Sequence, residues 1–328
     1  MSRLLNPGLL LASTAALFAA CLLGSTPLGA DKVLAALFGG SNSGDQIVVW
    51  SIRLPRALTA FCVGAALGTS GAALQGLLRN PLAEPGVLGV SATSSMAATV
   101  ALYYGLAAAN PWAMPIAAIG GAILATALIA LAALRTSSVV TLILIGVGMA
   151  SFSGALMSLL MNLAPNPFSL SDMVNWMLGS VANRSFDDLL FSLPFLAAGC
   201  GVLFAHRRGL SALTLGDEAA AGVGLNLRRQ RLAVVLGAGL ATGAAVALAG
   251  AIGFVGIVAP HIVRPWVAHD PARSLLPSAI LAGLLLVVAD IGVRLTPTDS
   301  ELKLGVVAAL IGAPAFVWIA FKRRTVVD

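Results

Sequence analysis

VVTLILIGVGMASFSGALMSLLMN, residues 139–162, carries no charged side chain and is the stretch on which the fold turns. A bilayer's hydrocarbon core is about 30 Å thick and takes roughly 20 apolar residues as one helix. The segment therefore reads as a membrane span. Working outward, apolar runs between polar breaks predict spans near 8–28, 57–78, 87–107 and 113–134 before it. After it come spans near 188–205, 232–250, 252–264, 275–293 and 304–321. The run at 252–264 is short for a full crossing and reads as a broken or tilted helix packed against its neighbours. The expected fold is all-α: one polytopic membrane domain over residues 1–328 with about ten transmembrane helices.

Composition points the same way. The 328 residues are 59% hydrophobic and 10% charged, with mean hydropathy +0.96. An ordinary soluble domain carries about 25% charged residues, so a solvated globular surface cannot be built from this chain. The 35 Gly and 16 Pro would weaken soluble helices, but in lipid small residues let helices approach and breaks are tolerated beside neighbours. The net charge of +6 lies between apolar runs and forms no contiguous tract, which excludes a nucleic-acid surface and leaves loop charge that orients the chain. Ten spans put both termini on one side. If that side is cytoplasmic, only Lys32, Arg53, Arg56, Arg184, Arg294 and Lys303 of the 19 Lys and Arg remain opposite. This bias predicts cytoplasmic termini in a bacterial inner membrane. The N-terminal apolar run reads as an uncleaved first span, and Cys21, Cys62 and Cys200 as small buried hydrophobes.

The chemistry that is missing narrows the function. None of Lys32, Lys303 and Lys322 precedes Ser or Thr, so no phosphate-cradling loop is present. His206, His261 and His269 are scattered near the expected cytoplasmic face, and Asp187-Asp188 reads as a helix N-terminal charge pair. No catalytic residue, metal site or cofactor is expected. An intramembrane enzyme is the weaker class, and an ion-coupled carrier weaker still, because Asp290 is the one clear intramembrane charge and reads as an ion pair with Arg294 one turn on. The connection 206–231 is the longest on the cytoplasmic side, with a helix opening at Gly216-Asp217-Glu218, and reads as a docking surface. Across the membrane, a short helix is expected through Met173 to Leu178. At the mouth of the second span Arg53 and Arg56 flank Leu-Pro, and Pro55 is expected to discourage helix at Leu54.

Seven segments in order carry a family resemblance: RLPR (53–56), GAALQGLLRNPLAEPGVLGVS (71–91), WMLGS (176–180), LGDEAAAGVG (215–224), GAIGFVGIVAPHIVR (250–264), LLPSAILAGLLLVVADIGVR (275–294) and ELKLGVVAALIGAP (301–314). Together they resemble the permease subunits of ABC importers for iron-siderophore, haem and vitamin B12 over nearly the whole chain. Lys303 departs from the pattern, where the family usually has Pro. The resemblance implies a permease that dimerises, as a homodimer or with a paralogue, around a central path. It also implies separate cytoplasmic ATP-binding subunits and a periplasmic substrate-binding protein. The expected cargo is a ferric siderophore, with haem or vitamin B12 as the alternative, moved inward by alternating access. Leu215, Gly216, Asp217, Glu218 and Ala219 are then the coupling element to the ATPase. Asn80 and Leu82 with Ser138, Val139 and Val140 form a cytoplasmic gate, with Val139 and Val140 in place of more polar residues of the B12 relatives. Arg53, Arg56 and Arg294 are expected to receive carboxylates of the binding protein.

Overall fold

Helix is the only regular backbone state among the residues that the computed structural model describes, which are 2–24, 26–40, 42–136, 138–297 and 301–322. A membrane interior demands this, because each buried N–H and C=O must be satisfied without water. In order the helices are α1 (Ser2–Leu22), α2 (Ala30–Leu37), α3 (Ser43–Ile47), α4 (Leu54–Leu78), α5 (Val90–Tyr103), α6 (Leu106–Ala109), α7 (Ala113–Arg135) and α8 (Val139–Asn162). They continue as α9 (Pro167–Met177), α10 (Phe186–Ala205), α11 (Arg207–Leu213), α12 (Asp217–Gly222), α13 (Leu227–Ala249), α14 (Val255–Val263), α15 (Pro271–Leu295) and α16 (Leu304–Lys322). Arg323 and Arg324, counted in the charge bias, lie outside the described residues.

Seven of these stretches are long and apolar enough to cross a membrane: α1, the continuous run Ser43–Leu78, α7, α8, α10, α13 and α15. The other three expected spans are also helical but shorter. α5 has 14 residues and α14 has 9, while α16 contributes the apolar stretch Leu304–Val317. A polytopic all-α membrane protein with about ten helices is the result. The first helix ends at Leu22 and not near 28, because Arg53 and Arg294 cap its last carbonyls there. The helix expected at Met173–Leu178 is longer, since Asn166 caps it by accepting from Ser169 N–H at 2.8 Å and Pro167 suits its first turn.

Pro55 does not break the chain as expected. Leu54 is already helical, and the run from Ser43 to Leu78 passes through a π-helical turn, Val48–Arg53. A wider turn takes up the missing proline N–H and the ring's clash with the preceding turn.

The centre of the bundle is α4, packed along α15 and also against α13. Small residues allow this. A Cβ added at Gly64 would sit 2.4 Å from the Ala282 carbonyl oxygen, and one at Gly68 would sit 2.4 Å from that of Ser278. α7 meets α13 in the same way, with a Cβ at Gly243 only 2.1 Å from that of Ala122. In lipid such contact is held by van der Waals packing, because burying apolar surface from lipid gains nothing. Leucines on the outer helices, among them Leu124, Leu128, Leu131 and Leu144, are exposed, as a surface bathed in hydrocarbon requires.

The break predicted at the eighth span is real. α13 stops at Ala249, Gly250 turns with φ 71°, and α14 begins only at Val255. Neighbouring backbone takes up one freed group, with Ser180 N–H donating to Ala249 O at 2.8 Å, and beside it Gly305 N–H donates to Gly179 O at 3.1 Å.

Candidate functional site

The end of the bundle that carries 206–231 is built as a small docked unit. Leu210, Leu213 and Ala220 are buried in one apolar cluster with Leu74, Val234 and Leu275, which seats α11 and α12 on α4, α13 and α15. The Gln230 side-chain amide donates to His206 O at 2.9 Å and anchors the start of the unit. Gly216 precedes α12 with φ 97° and ψ 161°, a region open essentially to glycine alone. Asp217 and Glu218 occupy the first turn, where negative charge suits the helix end.

Asp217 is the hinge of this arrangement. One carboxylate oxygen accepts from Arg79 Nη2 at 2.9 Å, and the other accepts from Arg231. Arg79 ends α4 in a left-handed conformation, and buried Arg231 lies in the first turns of α13. A helix of only six residues is thus fastened to two central helices by one carboxylate. Its outer side is left open: Leu215 and Val223 are 66% and 70% exposed, and Glu218 and Ala219 are exposed beside them.

The expected gate residues lie at the same end. The Asn80 side chain accepts from Leu82 N–H at 3.0 Å, closing the turn that follows Arg79. Ser138 caps α8 by accepting from Thr141 N–H at 3.3 Å. Ala83 and Leu142 share the apolar cluster that seats α11 and α12, with Val139 packed against it, while Val140 is exposed. Sequence reasoning missed Glu84, whose carboxylate accepts from Phe254 N–H at 3.2 Å at the start of α14. The signal available was a carboxylate set between the gate turn and Pro85.

At the opposite end the three expected docking arginines are turned inward. Arg56 pairs with Asp290 at 2.7 Å and also with Glu301. Arg294 pairs with the same Asp290 at 3.1 Å and donates to Ala20 O at 3.0 Å and Leu23 O at 3.3 Å. Arg53 donates to Cys21 O at 2.8 Å, Leu22 O at 2.9 Å and Thr26 O. Arg53 and Arg294 therefore satisfy the orphan carbonyls at the end of α1, where cations are favoured. The Asp290 and Arg294 ion pair expected from the sequence is present, and Arg53 and Arg56 are engaged within the chain as well. The reason is that a helix C-terminus and a buried carboxylate lie within their reach.

The whole arrangement can be compared with known proteins. The model of the FecCD transport family matches residues 10–322. This chain belongs to the FecCD transport family. It is 40% identical over 298 residues to the uncharacterized ABC transporter permease protein YvrB of Bacillus subtilis, covering 88% of this chain and 83% of that one. It is 39% identical over 280 residues to the vitamin B12 import system permease protein BtuC of Klebsiella pneumoniae, covering 85% and 84%. Among solved structures, an inward-facing putative metal-chelate type ABC transporter matches with a TM-score of 0.84 and 31% identity, over 98% of this chain and all of that one. The FecCD chain is thus an ABC importer permease and a multi-pass membrane protein. Its role is in transport and not in catalysis.

Proposed function

We propose that this permease, paired with a second copy or a paralogue, carries a metal chelate from periplasm to cytoplasm. Separate ATP-binding subunits drive it through α12. The observation that carries the reading is the Asp217 bridge: displacement of α12 pulls on Arg79, and Arg79 immediately precedes the Asn80 and Leu82 turn of the gate. Force on the docked unit therefore reaches the gate through one ion pair, not through a long loop.

A corrinoid of the vitamin B12 class is the first cargo to test, because the B12 permeases are 37–39% identical to this chain. A ferric siderophore is the second, supported by the likeness to a putative metal-chelate type transporter. The experiment measures ATP hydrolysis by the reconstituted complex with its binding protein loaded with cobalamin, a ferric siderophore or haem. Stimulation by one chelate alone identifies the cargo, and stimulation by none removes the chelate reading.

In this proposal both termini and the α11–α12 unit are cytoplasmic and the membrane is the bacterial inner membrane. A reporter active only in the periplasm, fused after Arg208, is expected to stay silent. Strong activity there would invert the topology.

The binding protein then docks at the Arg53, Arg56 and Arg294 end. Because those side chains are committed inward, an incoming carboxylate must compete with Glu301, whose side chain is 38% exposed on top of Arg56 at 10%. Glu301→Gln is expected to tighten binding by roughly tenfold, within the range of one charge-assisted hydrogen bond. Arg56→Gln is expected to weaken it. Titrating the binding protein against nanodisc-embedded complex measures both, and unchanged affinity in the two variants would move docking elsewhere on this face.

A further inference from the structure

A cavity of about 700 Å³ opens at the α12 end of the bundle, where α1 and α15 begin and α10 hands over to α11. Three arginines line it: Arg207, Arg208 and Arg273. Arg207 and Arg208 are exposed, and among the described residues neither guanidinium has a hydrogen bond or ion pair. Arg273 lies 3.3 Å from Asp270, the carboxylate that faces the cavity. Asp270 is already engaged elsewhere, accepting from the Ser211 hydroxyl and from Ala272 N–H. The cavity is therefore cationic, with two arginines that have no partner among the described residues.

Apart from Asn6 and Ser211, its other walls are apolar. Leu5, Leu276 and Pro277 line it, and Trp266 borders it at 48% exposure. Tryptophan favours the level of lipid headgroups, where one side is wet and the other apolar. From this opening the exposed flank of α1 runs on with Leu4, Leu10 and Leu11, which are 77%, 51% and 74% exposed. A free inorganic anion has no use for that flank, whereas a lipid has. Basic pockets between spans at the headgroup level are suited to anionic lipid heads. We infer that this cavity is a binding site for an anionic phospholipid, its phosphate held by Arg207 and Arg208 and its acyl chains laid along α1. The inference requires only that the chain sits in a bilayer, and it stands whether or not the cargo is a chelate.

The test is native mass spectrometry of the detergent-purified chain with phosphatidylglycerol, cardiolipin or phosphatidylcholine of matched acyl chains, and with inorganic phosphate as competitor. The wild type is expected to retain the anionic lipids roughly thirtyfold better than phosphatidylcholine, the scale set by two arginines beside an anionic head. R207Q/R208Q is expected to lose that preference, while R207K/R208K keeps part of it. Brominated phosphatidylglycerol is expected to quench fluorescence that Trp266→Phe removes. Equal retention of charged and zwitterionic lipids overturns the inference. So does an unchanged preference in R207Q/R208Q, or displacement by inorganic phosphate at matched concentration. A double variant that keeps its lipids and instead loses the ATP-binding subunit would assign the arginines to that subunit and also overturn it.

Discussion

Gly216→Val is expected to abolish the stimulation of ATP hydrolysis by a loaded binding protein while the complex still assembles in the membrane. The backbone at Gly216, φ 97° and ψ 161°, is one that a β-branched residue does not adopt. Space is not the obstacle, since an added Cβ would find its nearest atom, on Arg79, at 3.9 Å. The penalty is conformational, about 1–3 kcal/mol for an ordinary residue held there and more for valine. Relieving it rotates α12 and draws Asp217 away from Arg79 and Arg231, so the tie to the gate turn is lost. Leu210 and Leu213 keep α11 seated, which is why insertion and assembly survive. Gly216→Ala is expected to fall between. Normal stimulation in a correctly assembled Gly216→Val complex would reduce α12 to a connector.

Asp290→Asn is expected to produce the largest loss of stability of any single change at the opposite end. Asp290 is 1% exposed and faces two guanidiniums, those of Arg56 and Arg294, which are 10% and 8% exposed as side chains. Removing the carboxylate leaves two cations in a buried place with only Glu301 to answer one of them. Breaking a buried pair in this way costs roughly 3–5 kcal/mol. The expected readout is a lowered unfolding temperature of the detergent-purified chain, with reduced yield of folded protein. Arg294→Met alone has its own cost, since Arg294 also donates to Ala20 O and Leu23 O, so the two changes are compared in a double-mutant cycle: Asp290→Asn is expected to cost less in the Arg294→Met background than in the wild type. An equal cost in both backgrounds would mean that the carboxylate is not acting through Arg294.

Span positions could be read from the sequence because lipid imposes one strong rule on each segment by itself. The residues of α8 are those expected from the charge-free run 139–162, and the short run before Arg264 is the broken helix it was read as. Helix boundaries set by distant partners could not be read. α1 ends early because Arg53 and Arg294 reach its carbonyls, and Arg56 finds Asp290 and Glu301 across separations of 234 and 245 residues. The Asp290 and Arg294 pair was legible, since both lie on one helix face. The rest of its network was not, because Arg56 reaches Asp290 and Arg53 reaches the α1 carbonyls from distant parts of the chain. The Asp217 bridge was hidden for a similar reason: charge in the first turn of a helix is legible, but its partners in α4 and α13 are not.

Transport by the assembled complex tests the central claim most directly. The chain is reconstituted in proteoliposomes with its ATP-binding subunits, and the loaded binding protein and ATP are supplied on opposite faces. The account predicts accumulation of radiolabelled chelate on the ATP side that depends on ATP and on the binding protein and is lost in Gly216→Val. Accumulation that proceeds without ATP, or that persists undiminished when α12 is uncoupled, would contradict it.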